Sequence, residues 1–185
     1  MRTGDHDDDA LVQRLRSGSE EAWAELYRRH QRCVYRFALH MSGSVEVADE
    51  ATQETFIAFL RQVDGYKEAL GTLGGYLVGI ARHRVAKLLE QRRPETPWDD
   101  REPESAVDPL SDLTRRESLE AVNRAVLGLP SAYREVVVLC ELEEMSYDDA
   151  ARVLECPVGT VRSRLHRGRQ MLMERLAPSR KGCAL

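Results

Sequence analysis

Residues 146–169 read SYDDAARVLECPVGTVRSRLHRGR. The stretch describes two helices joined by a tight turn. Ser146 with Asp149 three residues on resembles a capping box, with Asp in place of the usual Glu. The spacing predicts a short helix over 147–154, a turn at Glu155-Cys156, and a second helix to about residue 176. Pro157 fits the first position of that helix. Val161, Leu165, Gly168, Leu172 and Leu176 step by three or four residues and should pack inward. Arg162, Ser163, His166, Arg167 and Arg169 are left outside. Arginine bonds guanine in a bidentate fork, and Ser or His reaches a base edge or a phosphate. The N-terminal end of such a helix also presents free N–H groups to phosphate. A solvated basic face would account for the arginines alone. A short helix and a tight turn in front of them make the minimum device for reading a DNA major groove.

Outward from this stretch the pattern stays helical. Residues 131–142 contain Val136-Val137-Val138-Leu139. A β-branched run favours strand, but its neighbours make a buried helix the better reading. Leu113, Leu119, Val122, Val126 and Leu127 give a further helical stripe, ended by Gly128-Leu129-Pro130. Before it lies PETPWDDREPESAVDP, residues 94–109, with four prolines and a cluster of acids. Proline removes backbone donors and disfavours helix in the preceding residue. Residues 94–112 therefore read as a flexible acidic linker, with Trp98 as its one apolar anchor.

The N-terminal half carries four helical patterns. Residues 1–6 read as disordered, and a short helix spans 8–16 and stops near Gly18. Ser19 is a candidate N-cap, followed by Glu20 and Glu21 where the helix dipole favours acid. Trp23, Leu26, Tyr27, His30, Val34, Phe37, Ala38 and Met41 form one apolar stripe, broken by Ser42-Gly43-Ser44. A third helix over 45–63 has Ala48, Ala51, Thr55, Phe56, Phe59 and Leu60 inside. Asp49, Glu50, Gln53 and Glu54 fall on or beside its opposite face. The loop 64–75 is rich in glycine but lacks the Gly-Lys-Ser/Thr ending of a phosphate loop. A fourth helix over 73–91 turns Tyr76, Leu77, Ile80, Ala81, Val85, Leu88 and Leu89 inward and Arg82, His83, Arg84 and Lys87 the other way. The fold class is all-α: two small helical domains, 7–93 and 113–178, joined by the linker 94–112.

Charge is distributed rather than net. There are 31 acidic and 27 basic residues, a formal charge of -4, yet the basic residues gather at 82–93 and 162–181. Two basic patches separated by acid suit a polyanion binder that touches its ligand twice. Cys33, Cys140, Cys156 and Cys183 form no CxxC pair, and His30, Cys33 and His40 make a weak ligand set. No cofactor or metal is expected. The histidines are scattered and no nucleophile–base pair stands out, so the chain does not read as an enzyme. An acidic, polar N-terminus and the lack of a long apolar run predict a soluble, cytoplasmic protein with reduced thiols.

The sequence LPSAYREVVVLCELEEMSYDDAARVLECPVGTVRSRLHRGRQML, residues 129–172, resembles region 4 of the sigma-70 family, in its extracytoplasmic-function group. Leu129-Pro130, Arg134-Glu135-Val136, Ser146-Tyr147, Ala150-Ala151 and PVGTV followed by RSRL (157–165) carry the likeness. ADEATQETF (48–56), Tyr76-Leu77 and Ile80-Ala81-Arg82 are similar to region 2 of the same group. The resemblance implies an alternative sigma factor that binds core RNA polymerase and directs promoter-specific initiation. It implies that Asp49, Glu50, Gln53 and Glu54 dock on the clamp helices of the largest subunit, with a further contact to the flap of the second subunit. It implies minus-10 contacts from Tyr66, Lys67, Arg82, His83, Arg84 and Lys87, and minus-35 contacts from Arg162, Ser163, His166 and Arg167. Tyr66 or Tyr76 would stack on an unpaired base. It also implies control by an anti-sigma factor, often membrane-bound, and an acidic linker that threads near the RNA exit path.

The chain departs from the family pattern in places. His83 stands where Asn is frequent, and Gly71, Gly74 and Gly75 loosen the loop before it. Glu155 stands at a turn position where many members have Gly. A stand-alone helix-turn-helix regulator is the competing reading. Such a regulator has no need of an acidic Gln-Glu-Thr-Phe helix followed by a basic one.

Overall fold

In the computed structural model, residues 3–92 and 113–177 are described, with side chains from Asp7 in the first stretch and Leu119 in the second. Every described element is helical. The N-terminal half contains α1 (Thr3–Arg16), α2 (Glu20–Ser42), α3 (Val45–Arg61), two single 3₁₀ turns (Val63–Gly65 and Glu68–Leu70) and α4 (Leu73–Gln91). The C-terminal half contains α5 (Leu113–Leu127), α6 (Ser131–Val137), a π-helical turn (Val138–Leu142), α7 (Tyr147–Val153) and α8 (Val158–Leu176). The expected linker, its anchor Trp98 and Cys183 lie outside the described residues.

Capping chemistry sets the boundaries. Ser19, Ser44, Thr72 and Ser146 each sit in extended backbone and accept a bond from the N–H three residues on, which satisfies one orphan donor per helix. Gly43 ends α2 at φ 71°, donating to Leu39 O at 2.7 Å. Four details differ from the sequence expectation. Helix α1 begins at Thr3, within the stretch read as disordered. The loop 64–75 contains the two 3₁₀ turns. Pro157 is the N-cap, at φ -59° and ψ 146°, and α8 starts one residue later. The 131–142 helix changes pitch at Val138, where Glu143 N donates to Val138 O at 2.9 Å.

Helices α2, α3 and α4 pack side by side over Phe37, Phe56, Phe59, Leu26 and Leu77, all fully buried. Val136 to Leu139, Leu129, Val161 and Leu165 fill the second half, and the two apolar clusters are continuous. Gly168 lies where α8 crosses α6; a Cβ there would sit 2.8 Å from Val137 Cγ2. Leu60, Leu89, Leu119, Val122 and Leu176, expected inside, are exposed. Each lies at the margin of its apolar stripe or near a helix end, where the period alone does not separate core from rim.

The turn between α7 and α8 is a Schellman motif. Cys156 N donates to Ala151 O at 3.0 Å and Glu155 N to Arg152 O at 3.2 Å. Glu155 holds the left-handed position at φ 51°. A side chain there carries a conformational cost that glycine avoids. Left-handed backbone costs an L-residue about 1–2 kcal/mol and glycine's greater chain entropy offsets about 0.5–1 kcal/mol of the relief, so Glu155→Gly should stabilise the C-terminal half by about 0.5–1 kcal/mol, measured as a higher urea midpoint at unchanged slope.

Candidate nucleic-acid and polymerase interfaces

Arg162, Ser163, His166 and Arg167 lie on one face of α8, and all four are exposed. Val161 and Leu165, buried on the other side, fix the rotation of the helix that presents them. The Arg162 guanidinium rests 6.0 Å from the centre of the Tyr147 ring on α7, which limits its freedom before any ligand arrives. Ser163 Oγ donates to Thr160 O at 3.1 Å. Arg169, the next basic residue along, pairs with Glu141 at 2.5 Å.

The acidic face of α3 is split by burial. Asp49 and Gln53 are exposed, while Glu50 and Glu54 are half-buried. Arg92 holds Glu50 at 2.6 Å, and Arg84 lies 3.6 Å from Glu54. Beside this face Trp23, Tyr27 and Phe56 form a tilted aromatic cluster, with Tyr27 and Phe56 centroids 4.7 Å apart.

The structure does not bring all the expected minus-10 residues to one surface. Lys67, His83 and Lys87 are exposed. Arg82 points across to α6, where its Nε donates to Glu135 Oε1 at 2.8 Å. Arg84, two residues on and therefore on the far side of the helix, turns to α3. Tyr66 is only 5% exposed; its hydroxyl donates to Asp9 Oδ1 at 2.9 Å. Burial first, and then the Asp9 carboxylate, raise its pKa. Tyr76 is half-buried, 5.5 Å from the Tyr66 ring and 6.2 Å from Phe59. A cavity of about 300 Å³ opens here, lined by Lys67, Tyr76 and His83 on one side and by Asp149, Arg152 and Glu155 on the other.

Sequence reasoning missed a set of residues that join the two halves. Arg36 on α2 forms a fork with Glu143, Nη2 to Oε2 at 2.6 Å and Nε to Oε1 at 3.2 Å. Cys33 Sγ donates to the same carboxylate at 3.4 Å. Burial, and then that carboxylate, push the Cys33 thiol up to about 12, which leaves it protonated and a poor nucleophile. Burial likewise lowers the pKa of His40. Arg134 donates to Met41 O at 2.7 Å, to Leu129 O at 3.0 Å and to Leu127 O. Only the Arg134-Glu135 motif gave a signal in sequence, and it named no partner. The weak ligand set dissolves into separate pairings: His30 Nε2 lies 3.0 Å from Asp8, and Cys33 faces Glu143. Among the described residues no three His, Cys, Asp or Glu gather as a metal site, and no helix is long and apolar enough to cross a membrane.

The family model for sigma-70 region 2 matches residues 26–95, and that for sigma-70 region 4 matches residues 119–172. The chain is 34% identical over 171 residues to the ECF RNA polymerase sigma factor SigC of Mycobacterium tuberculosis, covering 91% of each chain. It belongs to the extracytoplasmic-function group of sigma-70 factors. It is also 39% identical over 161 residues to the ECF RNA polymerase sigma factor SigE of Mycolicibacterium smegmatis; the match covers 84% of this chain and 62% of that relative's length. Among solved structures it is similar in fold to CnrH in complex with the cytosolic domain of CnrY, at a TM-score of 0.71 and 24% identity. That match covers 90% of this chain and 95% of CnrH. The sigma factor RpoE of Bartonella quintana, in complex with the anti-sigma factor NepR, matches at a TM-score of 0.70 and 24% identity over 85% of this chain and 98% of that one. As a member of the group, this sigma factor binds RNA polymerase and directs promoter recognition, and it is not an enzyme.

Proposed function

We propose a division of labour within this sigma factor. Two units, 7–93 and 113–178, are joined by the acidic linker 94–112, and helix α1 extends the first unit upstream to Thr3. Asp49 and Gln53, with Glu50 and Glu54 beside them, meet the clamp helices of the polymerase largest subunit. Lys67, His83 and Lys87, all exposed, hold the phosphates of the minus-10 strand, and Arg82 and Arg84 join them once they leave Glu135 and Glu54. Tyr66 serves this site from below, fixing the loop through Asp9, and reaches a base once the loop is freed. Arg162, Ser163, His166 and Arg167 read the minus-35 duplex. Leu119, Val122, Met173 and Leu176, all exposed near the junction of α5 and α8, form the apolar contact for the flap of the second subunit. A membrane-bound anti-sigma factor holds the chain inactive; the reading is supported by RpoE, similar in fold, which is found in complex with the anti-sigma factor NepR. The observation that carries this reading is the exposed four-residue face of α8, set on a buried stripe and preceded by a capped short helix.

The polymerase contact is tested first. Asp49→Ala with Gln53→Ala removes two exposed polar groups without touching the core. Capture of core polymerase by the double variant should fall about tenfold or more, on the scale of interface side chains worth over 1 kcal/mol. Equal capture by variant and parent would contradict the clamp assignment.

A further inference from the structure

The loop between α3 and α4 has little of its own to hold it. From Gln62 to Leu70 only Tyr66 is buried and Val63 half-buried; the other residues are exposed, Leu70 to 65%. Its internal bonds are those of two single 3₁₀ turns, with Gly65 N donating to Gln62 O at 2.8 Å and Leu70 N to Lys67 O at 2.9 Å. Such turns have poor hydrogen-bond geometry, and a segment with so few buried contacts opens readily. Its shape must come from a neighbour.

That neighbour is α1. Asp9, Val12 and Arg16 follow at three- and four-residue steps, so they share one face of the helix, and that face borders Tyr66 and Lys67. Two of its side chains reach the loop. Arg16 Nη2 donates to Tyr66 O at 2.8 Å and to Val63 O at 3.2 Å, from a side chain that is 26% exposed. Two turns earlier, Asp9 Oδ1 accepts from the Tyr66 hydroxyl at 2.9 Å. The same hydroxyl lies 3.3 Å from Gly71 O, one residue before the Thr72 N-cap of α4. Helix α1 is itself fixed. Val12 is 1% exposed, and Asp8 meets His30 at 3.0 Å and Arg29 at 3.3 Å on α2. The two grips differ in kind. Arg16 holds main-chain carbonyls, so it fixes the root of the loop whatever the side chains do. Asp9 holds one hydroxyl, which can leave it for a base while the root stays.

We propose that Arg16 is a positioning residue for minus-10 recognition: through the carbonyls of Val63 and Tyr66 it sets where Tyr66 and Lys67 meet the strand, with Asp9 as the releasable second grip. Arg16 itself does not touch DNA; it acts through the loop. The inference rests on the proposed minus-10 role of 66–87.

The test uses the full chain assembled with core polymerase. Arg16→Met removes the guanidinium and keeps the stem. Arg16→Lys keeps the charge but lacks the planar fork. Run-off transcription on a library randomised over the minus-10 element reads base preference. Hydrogen–deuterium exchange over residues 63–71 reads the root, and the urea midpoint reads the fold. Both variants should exchange faster over 63–71. Their preference at the position the loop reads should flatten by about tenfold or more, since misplacing a positioned group by about 1 Å costs about a hundredfold. A merely structural role would instead lower the midpoint and weaken all minus-10 sequences alike, with parental preference; that result overturns the proposal. So would full recovery of activity and preference in Arg16→Lys, which would make Arg16 a phosphate contact. Lys67→Ala separates this inference from the reading beneath it, because it removes a strand contact and leaves the root in place. If Lys67→Ala transcribes every library member like the parent, the minus-10 assignment fails and the inference falls with it. If Lys67→Ala is impaired and Arg16→Met keeps parental preference, the assignment stands and the positioning role alone is overturned.

Discussion

Replacing Arg134 with methionine should lower stability by about 3 kcal/mol, on the scale of charge-assisted hydrogen bonds lost together. Arg134 is half-buried, and its guanidinium sits at the C-terminal ends of two helices. Leu127 O belongs to the last turn of α5 and Met41 O to the last turn of α2, with Leu129 O between the elements. The carbonyls of a final helical turn have no partner inside the helix, and together they carry partial negative charge. One cation satisfies two such ends at once. Burial lowers its pKa, but a guanidinium stays protonated in proteins. Its Nε has no partner among the described residues, so part of the stabilisation is already lost to desolvation. Methionine fills the space and leaves three carbonyls unpaired, each carrying a desolvation cost. Lysine keeps the charge but lacks the fork, and should recover less than half of the loss. Urea unfolding followed by far-ultraviolet circular dichroism measures both. A methionine variant as stable as its parent would show that water replaces the guanidinium without cost.

The same residue shows what the sequence could and could not say. The helices were legible because their signals are local: a serine at the N-caps of α2 and α7, the Ser42-Gly43-Ser44 break after α2, and stripes through Leu26, Val34 and Phe37 or Val161 and Leu165. The turn at Glu155-Cys156 was legible as a break between two helices, and its left-handed backbone (φ 51° at Glu155) was implied by the Gly that many family members have there. The π-helical turn at Val138–Leu142 was not legible, because one extra residue in a helical turn leaves the composition of the run unchanged. Arg134 and Glu135 stood out as a motif, yet their partners Met41 and Arg82 lie 93 and 53 residues away. Nothing in a periodic pattern encodes which buried carboxylate meets which arginine. Glu143 reads as one more acid in CELEE, and only its burial against α2 gives it a role.

The candidate sites follow the same division. Arg162, Ser163, His166 and Arg167 were found together because one helix carries them and its buried stripe fixes their common face. Arg82, His83, Arg84 and Lys87 also share a helix, but its two sides meet different neighbours. Arg82 faces α6, Arg84 faces α3, and Lys87 faces solvent. Helical spacing predicts which residues share a direction; it does not say what stands in that direction. Tyr66 illustrates the limit from the other side, since an aromatic in a glycine-rich loop reads as mobile until Asp9 and Tyr76 are seen to hold it.

Arg162→Ala combined with Arg167→Ala should reduce transcription from a minus-35-dependent promoter by about a hundredfold or more, since each bidentate base contact is worth about 1–3 kcal/mol. The two positions stand five residues apart on one exposed face of α8, which places them over successive parts of a groove. Neither side chain contributes to the core, so the variant should unfold at the parent's urea midpoint. Capture of core polymerase should also be unchanged, because the acidic face of α3 is untouched. Arg162 has a second attachment, its stacking on Tyr147, and Tyr147→Ala should therefore reproduce a fraction of the Arg162 effect through lost pre-organisation. The salt dependence separates the two kinds of contact. Loss of a phosphate contact lowers the slope of affinity against salt by about one ion and weakens all sequences alike. Loss of a base contact relaxes the preference at one position of the minus-35 element. Run-off transcription on a library randomised over that element reads both. A double variant with parental activity and parental sequence preference would remove α8 from promoter reading, even though the chain remains a sigma factor.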